Sequence, residues 1–127
     1  MASLLDFVGT WRAARFAPLS NHTFTWAASG ESLQGEWIIE GASRPDRVKA
    51  VTTTFQMEIG EPWLDDGRLL FRVGNGATLS PFVTEFRLVG ADEAVLGAAA
   101  DKLPAEFAGP EHERSIEHHR VRLQRQR

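Results

Sequence analysis

The residues of this chain best suited to proton transfer or metal binding are its four histidines. His118 and His119 are adjacent in a predicted strand, where successive side chains point to opposite faces and cannot grip one ion together. We therefore expect no metal site and no cofactor. His119 has inward parity, so it and His22 are candidates for hydrogen bonding to a ligand or for proton transfer near neutral pH. The alternative is that both are interior histidines satisfied by the protein itself.

Aromatic side chains recur at alternate positions and should face one interior. Gly35, Ala94 and Ala98 leave room there, and Thr53 and Thr84 add isolated polar groups, which is typical of small-molecule pockets. The alternative is a packed core with no cavity. The predicted ligand-binding residues are His22, Phe24, Trp26, Trp37, Thr53, Phe55, Phe71, Thr84, Phe86 and His119.

Positive charge is concentrated near the end of the sequence. Residues 114–127 carry five arginines and Glu117, a net charge of +4 against −7 for the remainder, whereas the whole chain has −3. One interpretation is a phosphate-binding stripe; the other, which we favour, is a solvated strand face that pairs with Glu36, Glu40 or Glu85. Those arginines are Arg114, Arg120, Arg122, Arg125 and Arg127. We expect no nucleic-acid partner.

Composition bounds the fold and its location. With 127 residues, 43% hydrophobic and 24% charged, the chain fits a single domain spanning residues 1–127 with one core. Zero cysteines exclude disulfide scaffolds and thiol catalysis and favour a cytoplasmic location. The opening residues have neither a basic region nor a long apolar run, so we expect no signal peptide and no membrane partner.

These candidate residues are positioned by strands with period-2 alternation of apolar and polar side chains. Short turn-forming separators, residues 29–31, 65–67 and 90–92, predict antiparallel hairpins. We predict an all-β fold, a single up-and-down antiparallel β-barrel of about eight strands, since closure removes both sheet edges. Ser3 should cap a short N-terminal helical turn that plugs one end.

The predicted loops differ between the two ends of the barrel. One end has mostly tight turns, residues 60–67 being its one longer loop. The other has residues 17–21, 41–46, 74–81 and a longer segment, residues 99–115. Long irregular loops on a rigid sheet often carry binding groups, so we expect a ligand to enter at this open end. Two prolines make a regular strand or long helix in the last segment unexpected.

Two short motifs indicate a family. Gly9-Thr10-Trp11, a turn leading into the first strand, resembles the opening of the calycins, the superfamily of lipocalins, fatty-acid-binding proteins and avidins. The G-x-x-L-x-G-x-W pattern of residues 30–37 is similar to the second hairpin of avidin-type and small lipocalin-like barrels. The resemblance implies a lipocalin-like or streptavidin-like barrel in which a basic last-strand residue lies across the first tryptophan. By parity that residue is Arg125, so Gly9, Trp11 and Arg125 are expected to be structural.

Three functions follow from these predictions. The first is binding of a small hydrophobic or amphipathic molecule inside the barrel. The second is an enzyme of isomerase or cyclase type, with His119 or Glu117 moving a proton, although enzymatic activity is not what we favour. The third is a structural barrel with a filled core. The sequence leaves open a homodimer and does not name the ligand.

Overall fold

The computed structural model describes residues 3–13, 20–42, 52–75, 78–107, 109–118 and 120–126. Within them a 3-10 helix, Leu4–Phe7, precedes the first strand. The strands are β1 (Gly9–Ala13), β2 (Ser20–Ser29), β3 (Ser32–Ala42), β4 (Thr52–Ile59), β5 (Trp63–Asp65), β6 (Arg68–Asn75), β7 (Thr78–Leu88), β8 (Glu93–Ala98) and β9 (Val121–Gln126). Two 3-10 turns, Ala100–Lys102 and Ala105–Phe107, and one helix, α1 (Pro110–His118), connect β8 to β9.

Eight of these strands form a closed antiparallel barrel, which confirms the predicted fold class. Their order is β4-β3-β2-β1-β9-β8-β7-β6, and the ring closes where Glu58 and Ile59 of β4 pair with Gly74 and Val73 of β6. Chain neighbours pair with one another, and β9 pairs with β1, as an up-and-down barrel requires. β5 is an additional short strand beside β6.

Tight turns at one end follow from the predicted turn residues. Asp66 and Gly67 have φ values of 53° and 78°, the two positive values that a two-residue hairpin turn of type I′ needs. Gly30 opens the β2–β3 turn with a φ of 60°. The backbone N–H of Ser3 donates to the Asp6 carboxylate at 2.7 Å, which ties down the opening 3-10 helix at this closed end.

The inward faces of the strands pack into one hydrophobic core. The alternation in the sequence places these residues inside, and Phe7 reaches them from the opening 3-10 helix. The buried members are Phe7, Trp11, Phe24, Trp26, Leu33, Leu69, Phe71, Phe86, Ala94, Leu96, Val121 and Leu123. A second, small cluster of Leu70, Val83 and Ala99 lies on the outward face, beneath the segment that follows β8.

Three predictions about element boundaries are wrong. Residues 60–67 hold β5, because Trp63 and Leu64 pair with Leu70 and Leu69 across the Asp-Gly turn. The segment after β8 contains α1, because Pro110 occupies the first helical position, where its missing N–H costs nothing. Glu117 therefore lies in a helix, and the last strand starts at Val121 rather than at Glu117.

Candidate functional site

The interior of the closed half is filled by aromatic rings. The ring of Phe24 lies 4.7 Å from that of Trp26, 5.5 Å from Phe71 and 5.4 Å from Phe86, measured between centroids. All four side chains are at most 1% exposed. Four of the predicted ligand-binding residues thus come together as expected, but they pack against one another and form a floor.

The room expected beside Gly35 is taken by the neighbouring tryptophan. A Cβ built on Gly35 would stand 2.6 Å from Cζ3 of Trp26, whose indole lies across the glycine. Ala94 is also in the buried core, at 1% exposure. Ala98, the third small residue expected to leave space, is half-buried and lies near the open end. The expectation that Gly35 and Ala94 create space is therefore wrong, and any interior volume lies above the aromatic floor.

Gly9, Trp11 and Arg125 meet at the closed end. Cζ of Arg125 lies 4.4 Å from the centroid of the Trp11 ring. Gly9 has a φ of 142°, which disfavours other residues, and the Arg125 stem passes over it at ordinary contact distance. Trp11 Nε1 donates to the carbonyl of Phe7 at 3.0 Å. This is the contact between Arg125 and Trp11 that strand parity and the calycin resemblance imply.

A polar pair stands above the aromatic floor. Trp37 Nε1 donates to His22 Nδ1 at 3.0 Å, and Phe24 beneath has its ring centroid 5.7 Å from that of Trp37. Because Nδ1 accepts this bond, it carries no proton, and neutral His22 holds its proton on Nε2. His22 is 8% exposed, and burial lowers its pKa below the ordinary value. The pair is a fixed polar group inside an otherwise apolar wall.

Inward side chains closer to the open end differ from the floor in burial. They belong to strands β1, β3, β7 and β8, all are half-buried, and we call them the open-end layer. Its members are Ala13, Trp37, Ile39, Phe82, Thr84 and Ala98. Thr84 lies in register between Phe71 of β6 and Ala98 of β8. Thr84 and Trp37 are the two predicted ligand-binding residues in this layer.

The structure describes less of the three remaining predicted ligand-binding residues. On β4, Thr53 stands opposite Gly41, and Phe55 opposite Ile39, which gives both inward parity; their side chains lie outside the described ones. His119 lies outside the described residues altogether. Among the residues that the structure does describe, no three His, Asp or Glu side chains are grouped so as to hold a metal ion.

Glu117, considered above as an inward proton carrier, points away from the barrel. It lies on α1, its side chain is 65% exposed, and it accepts a hydrogen bond from Arg120 Nε at 3.0 Å. His118 ends the same helix, so the strand position expected for His118 is wrong. Inward catalysis by Glu117 is incompatible with this position.

The terminal arginines do not form one stripe. Arg114 is on α1, Arg122 is exposed on the outer face of β9, and Arg125 lies inside on Trp11. Arg120 donates to Glu85 at 2.6 Å, one of the acidic partners that the strand-face interpretation expected. Arg127 lies outside the described residues.

Glu85 is the centre of a charged network, of which the sequence indicated only the pairing with a terminal arginine. It faces outward yet is 2% exposed, because Arg68 and Arg120 bind its two carboxylate oxygens at 2.5 and 2.6 Å. Arg68 also binds Asp101, and this hydrogen bond lowers the pKa of the Asp101 carboxyl and raises that of Arg68. The backbone N–H of Ala99 donates to the Val83 carbonyl at 2.8 Å. The segment after β8 is thus fastened to the outer wall.

The same segment reaches the rim of the open end at one place. The ring of Phe107 lies 5.1 Å from that of Phe82, in the open-end layer, and 5.8 Å from that of His112 on α1. Phe107 remains 38% exposed.

The burial of Glu85 could not be predicted from strand parity. Parity predicts a solvent-facing residue there, since nothing in the alternation of β7 indicates the segment that covers it.

Comparison with known proteins returns no match: no protein-family model, no curated protein and no solved structure is significantly similar to this chain. In the described part of the chain, α1 and the 3-10 turns are all too short and polar to span a membrane.

Proposed function

We propose that this protein binds a small hydrophobic or amphipathic molecule in the open half of its barrel, as the calycin resemblance implies. The proposal is carried by the contrast in burial between two sets of inward residues. The aromatic floor is sealed, whereas the open-end layer above it is half-buried although it faces inward. Apolar walls with a few convergent polar groups are typical of small-molecule sites.

The polar groups of the open half support an amphipathic ligand. His22 and Trp37 form a fixed polar pair on one wall, and the Thr84 hydroxyl lies on the strand β7 side. The apolar part of the ligand would rest on the rings of Phe24 and Phe71. Thr53 and Phe55 belong to the proposed site on strand parity alone, and His119 belongs to it as a prediction from the sequence.

A second candidate function, a structural barrel with a filled core, is favoured by the ring contacts of the floor. Phe24, Trp26, Phe71 and Phe86 already fill the closed half of the interior. The two candidates differ in the open half alone, so the decisive experiment must address the residues above Phe71.

An isomerase or cyclase activity has weaker support. Among the described inward residues, His22 is the one histidine, and burial lowers its pKa. Its Nδ1 already accepts a bond from Trp37, so this atom takes up a proton only when that bond breaks. We therefore rank binding above catalysis.

The test is uptake of an environment-sensitive apolar dye, Nile red, together with native mass spectrometry of the purified protein. We expect dye uptake by the wild type and weaker uptake by Trp37→Ala. The control is Trp63→Ala, which removes a 39% exposed tryptophan from β5 on the outside of the barrel and should leave uptake unchanged. A folded wild type that takes up no dye and carries no ligand would favour the filled barrel.

The location we propose is the cytoplasm, because the sequence contains no cysteine and reducing compartments do not use disulfides. The proposed partner is the small molecule itself. A homodimer stays a prediction that sedimentation of the purified chain would decide.

A further inference from the structure

An apolar groove opens at the closed end of the barrel, opposite the proposed ligand site. It has a volume of about 460 Å³ and lies between the opening 3-10 helix, the β2–β3 turn and β5. Four leucines line it: Leu4, Leu5, Leu33 and Leu64.

Two of these leucines belong to the core and two do not. Leu33 is buried at 4% exposure, and Leu4 packs against the core cluster. Leu5 and Leu64 have no role in the core, and they are 71% and 38% exposed. Leu5 and Leu64 form the outer edges of the groove. Contiguous exposed apolar side chains mark interaction sites more often than isolated ones do.

Exposed carboxylates surround the groove. Glu31 lines it directly, and Glu61 lines an adjoining depression that shares Ser32 and Leu33 with the groove. Asp66 follows two residues after Leu64 and is exposed. Among the described residues that line the two depressions there is no lysine, arginine or histidine. The surface is therefore apolar in its centre and negative at its rim.

We propose that this groove docks a basic amphipathic peptide segment of a partner protein. Its apolar side chains lie between Leu5 and Leu64, and its lysine or arginine side chains face Glu31 and Glu61. An amphipathic helix laid into a hydrophobic groove is a common mode of peptide recognition, and opposite charges at the rim steer association and set specificity. The negative rim disfavours an anionic membrane surface as the occupant.

The experiment measures the fluorescence anisotropy of a labelled synthetic helical peptide made of leucine on one face and lysine on the other. We expect Leu5→Ser and Leu64→Ser each to weaken binding about tenfold, as loss of one buried leucine contact implies. The matched control is Val89→Ser, which removes a 47% exposed valine from the β7–β8 turn outside the groove and should leave binding unchanged.

Charge is tested in the same assay. Glu31→Lys should weaken binding at least tenfold and reduce its salt dependence, whereas Glu58→Lys, on the outer face of β4, should have little effect.

Two results would overturn the proposal. One is a wild type that does not bind the peptide, and the other is that Val89→Ser and Glu58→Lys weaken binding as much as the groove variants do. Binding to zwitterionic vesicles in place of the peptide, or a dimer that Leu5→Ser dissociates, would likewise assign the groove to another occupant. Thermal melts of every variant check that the barrel remains folded.

Discussion

Arg125 lies across the indole of Trp11, with its Cζ 4.4 Å from the ring centroid. Both residues are also bound to the opening 3-10 helix: Trp11 Nε1 donates to the Phe7 carbonyl, and the Arg125 guanidinium donates to the carbonyl of Asp6. The first strand, the last strand and the opening 3-10 helix are therefore joined at one point, and this point seals the closed end.

We expect Trp11→Ala to reduce the free energy of unfolding by about 3 to 5 kcal/mol, since it leaves a large cavity in the core. Arg125→Met keeps most of the apolar stem and loses the charge over the ring, so its cost should be about 1 to 2 kcal/mol. Urea unfolding of both variants measures the difference. A nearly neutral Trp11→Ala would contradict the closed-end account.

Trp26 and Trp11 are both buried, but their indole N–H groups differ in hydrogen bonding. Trp11 Nε1 has the Phe7 carbonyl at 3.0 Å, whereas Trp26 Nε1 has no hydrogen-bond partner within the described part of the chain. Trp26→Phe therefore removes an unsatisfied donor, and Trp11→Phe leaves a carbonyl unsatisfied. We expect Trp11→Phe to be the more destabilising by about 1 to 2 kcal/mol in denaturant unfolding. Equal costs, or the reverse order, would show that Trp26 Nε1 has a partner after all.

The close packing of Trp26 on Gly35 gives a third prediction. Gly35→Ala places a methyl group 2.6 Å from Cζ3 of a buried indole, so we expect overpacking to cost about 1 to 3 kcal/mol. Gly97→Ala is the control, because its methyl group would meet the flexible Arg120 stem at 3.1 Å and should cost less. If thermal melts showed Gly97→Ala to be the worse of the two, the space beside Gly35 would be open and the floor less tightly packed than described.

The barrel and its inward set follow from the sequence because alternation over whole strands fixes which side chains face inside. This alternation predicts that Phe24, Trp26, Phe71 and Phe86 face the interior, and the residue types predict the Asp-Gly turn at Asp66. Parity does not say whether inward rings leave a volume between them. Gly35 illustrates this, because the space it leaves is filled by a side chain from the next strand.

Features that depend on a covering segment were not predictable. Glu85 alternates like any solvent-facing residue, and its burial comes from Arg68, Arg120 and the segment after β8. The start of α1 at Pro110 differs from the expectation that proline interrupts a helix, because proline is favoured at the first helical position. The His22–Trp37 hydrogen bond was not predictable either, because it depends on the strand register that places the two rings side by side.

His22 predicts a pH dependence of stability. Burial lowers the pKa of His22 in the folded state. Below the unfolded-state pKa of about 6.5, His22 is therefore protonated in the unfolded chain while it is still neutral in the folded chain. Unfolding free energy should therefore fall as pH is lowered from about 7, until the lowered folded pKa is reached. His22→Asn, which keeps an acceptor for Trp37 Nε1, should remove part of this dependence, while His112→Asn on exposed α1 should keep it. An unchanged pH profile in His22→Asn would contradict the assignment.

The central claim, a hollow open half that binds an apolar molecule, is tested most directly by Thr84→Leu. Thr84 is half-buried, faces inward and lies between Phe71 and Ala98. The measurement is a denaturant melt with parallel Nile red titration, beside the outward-facing control Thr23→Leu. We predict that Thr84→Leu costs less than about 1 kcal/mol and loses dye uptake, because leucine fills empty space, while Thr23→Leu retains uptake. Destabilisation of about 1 to 3 kcal/mol, with no dye uptake by the wild type, would show a filled barrel and contradict the binding function.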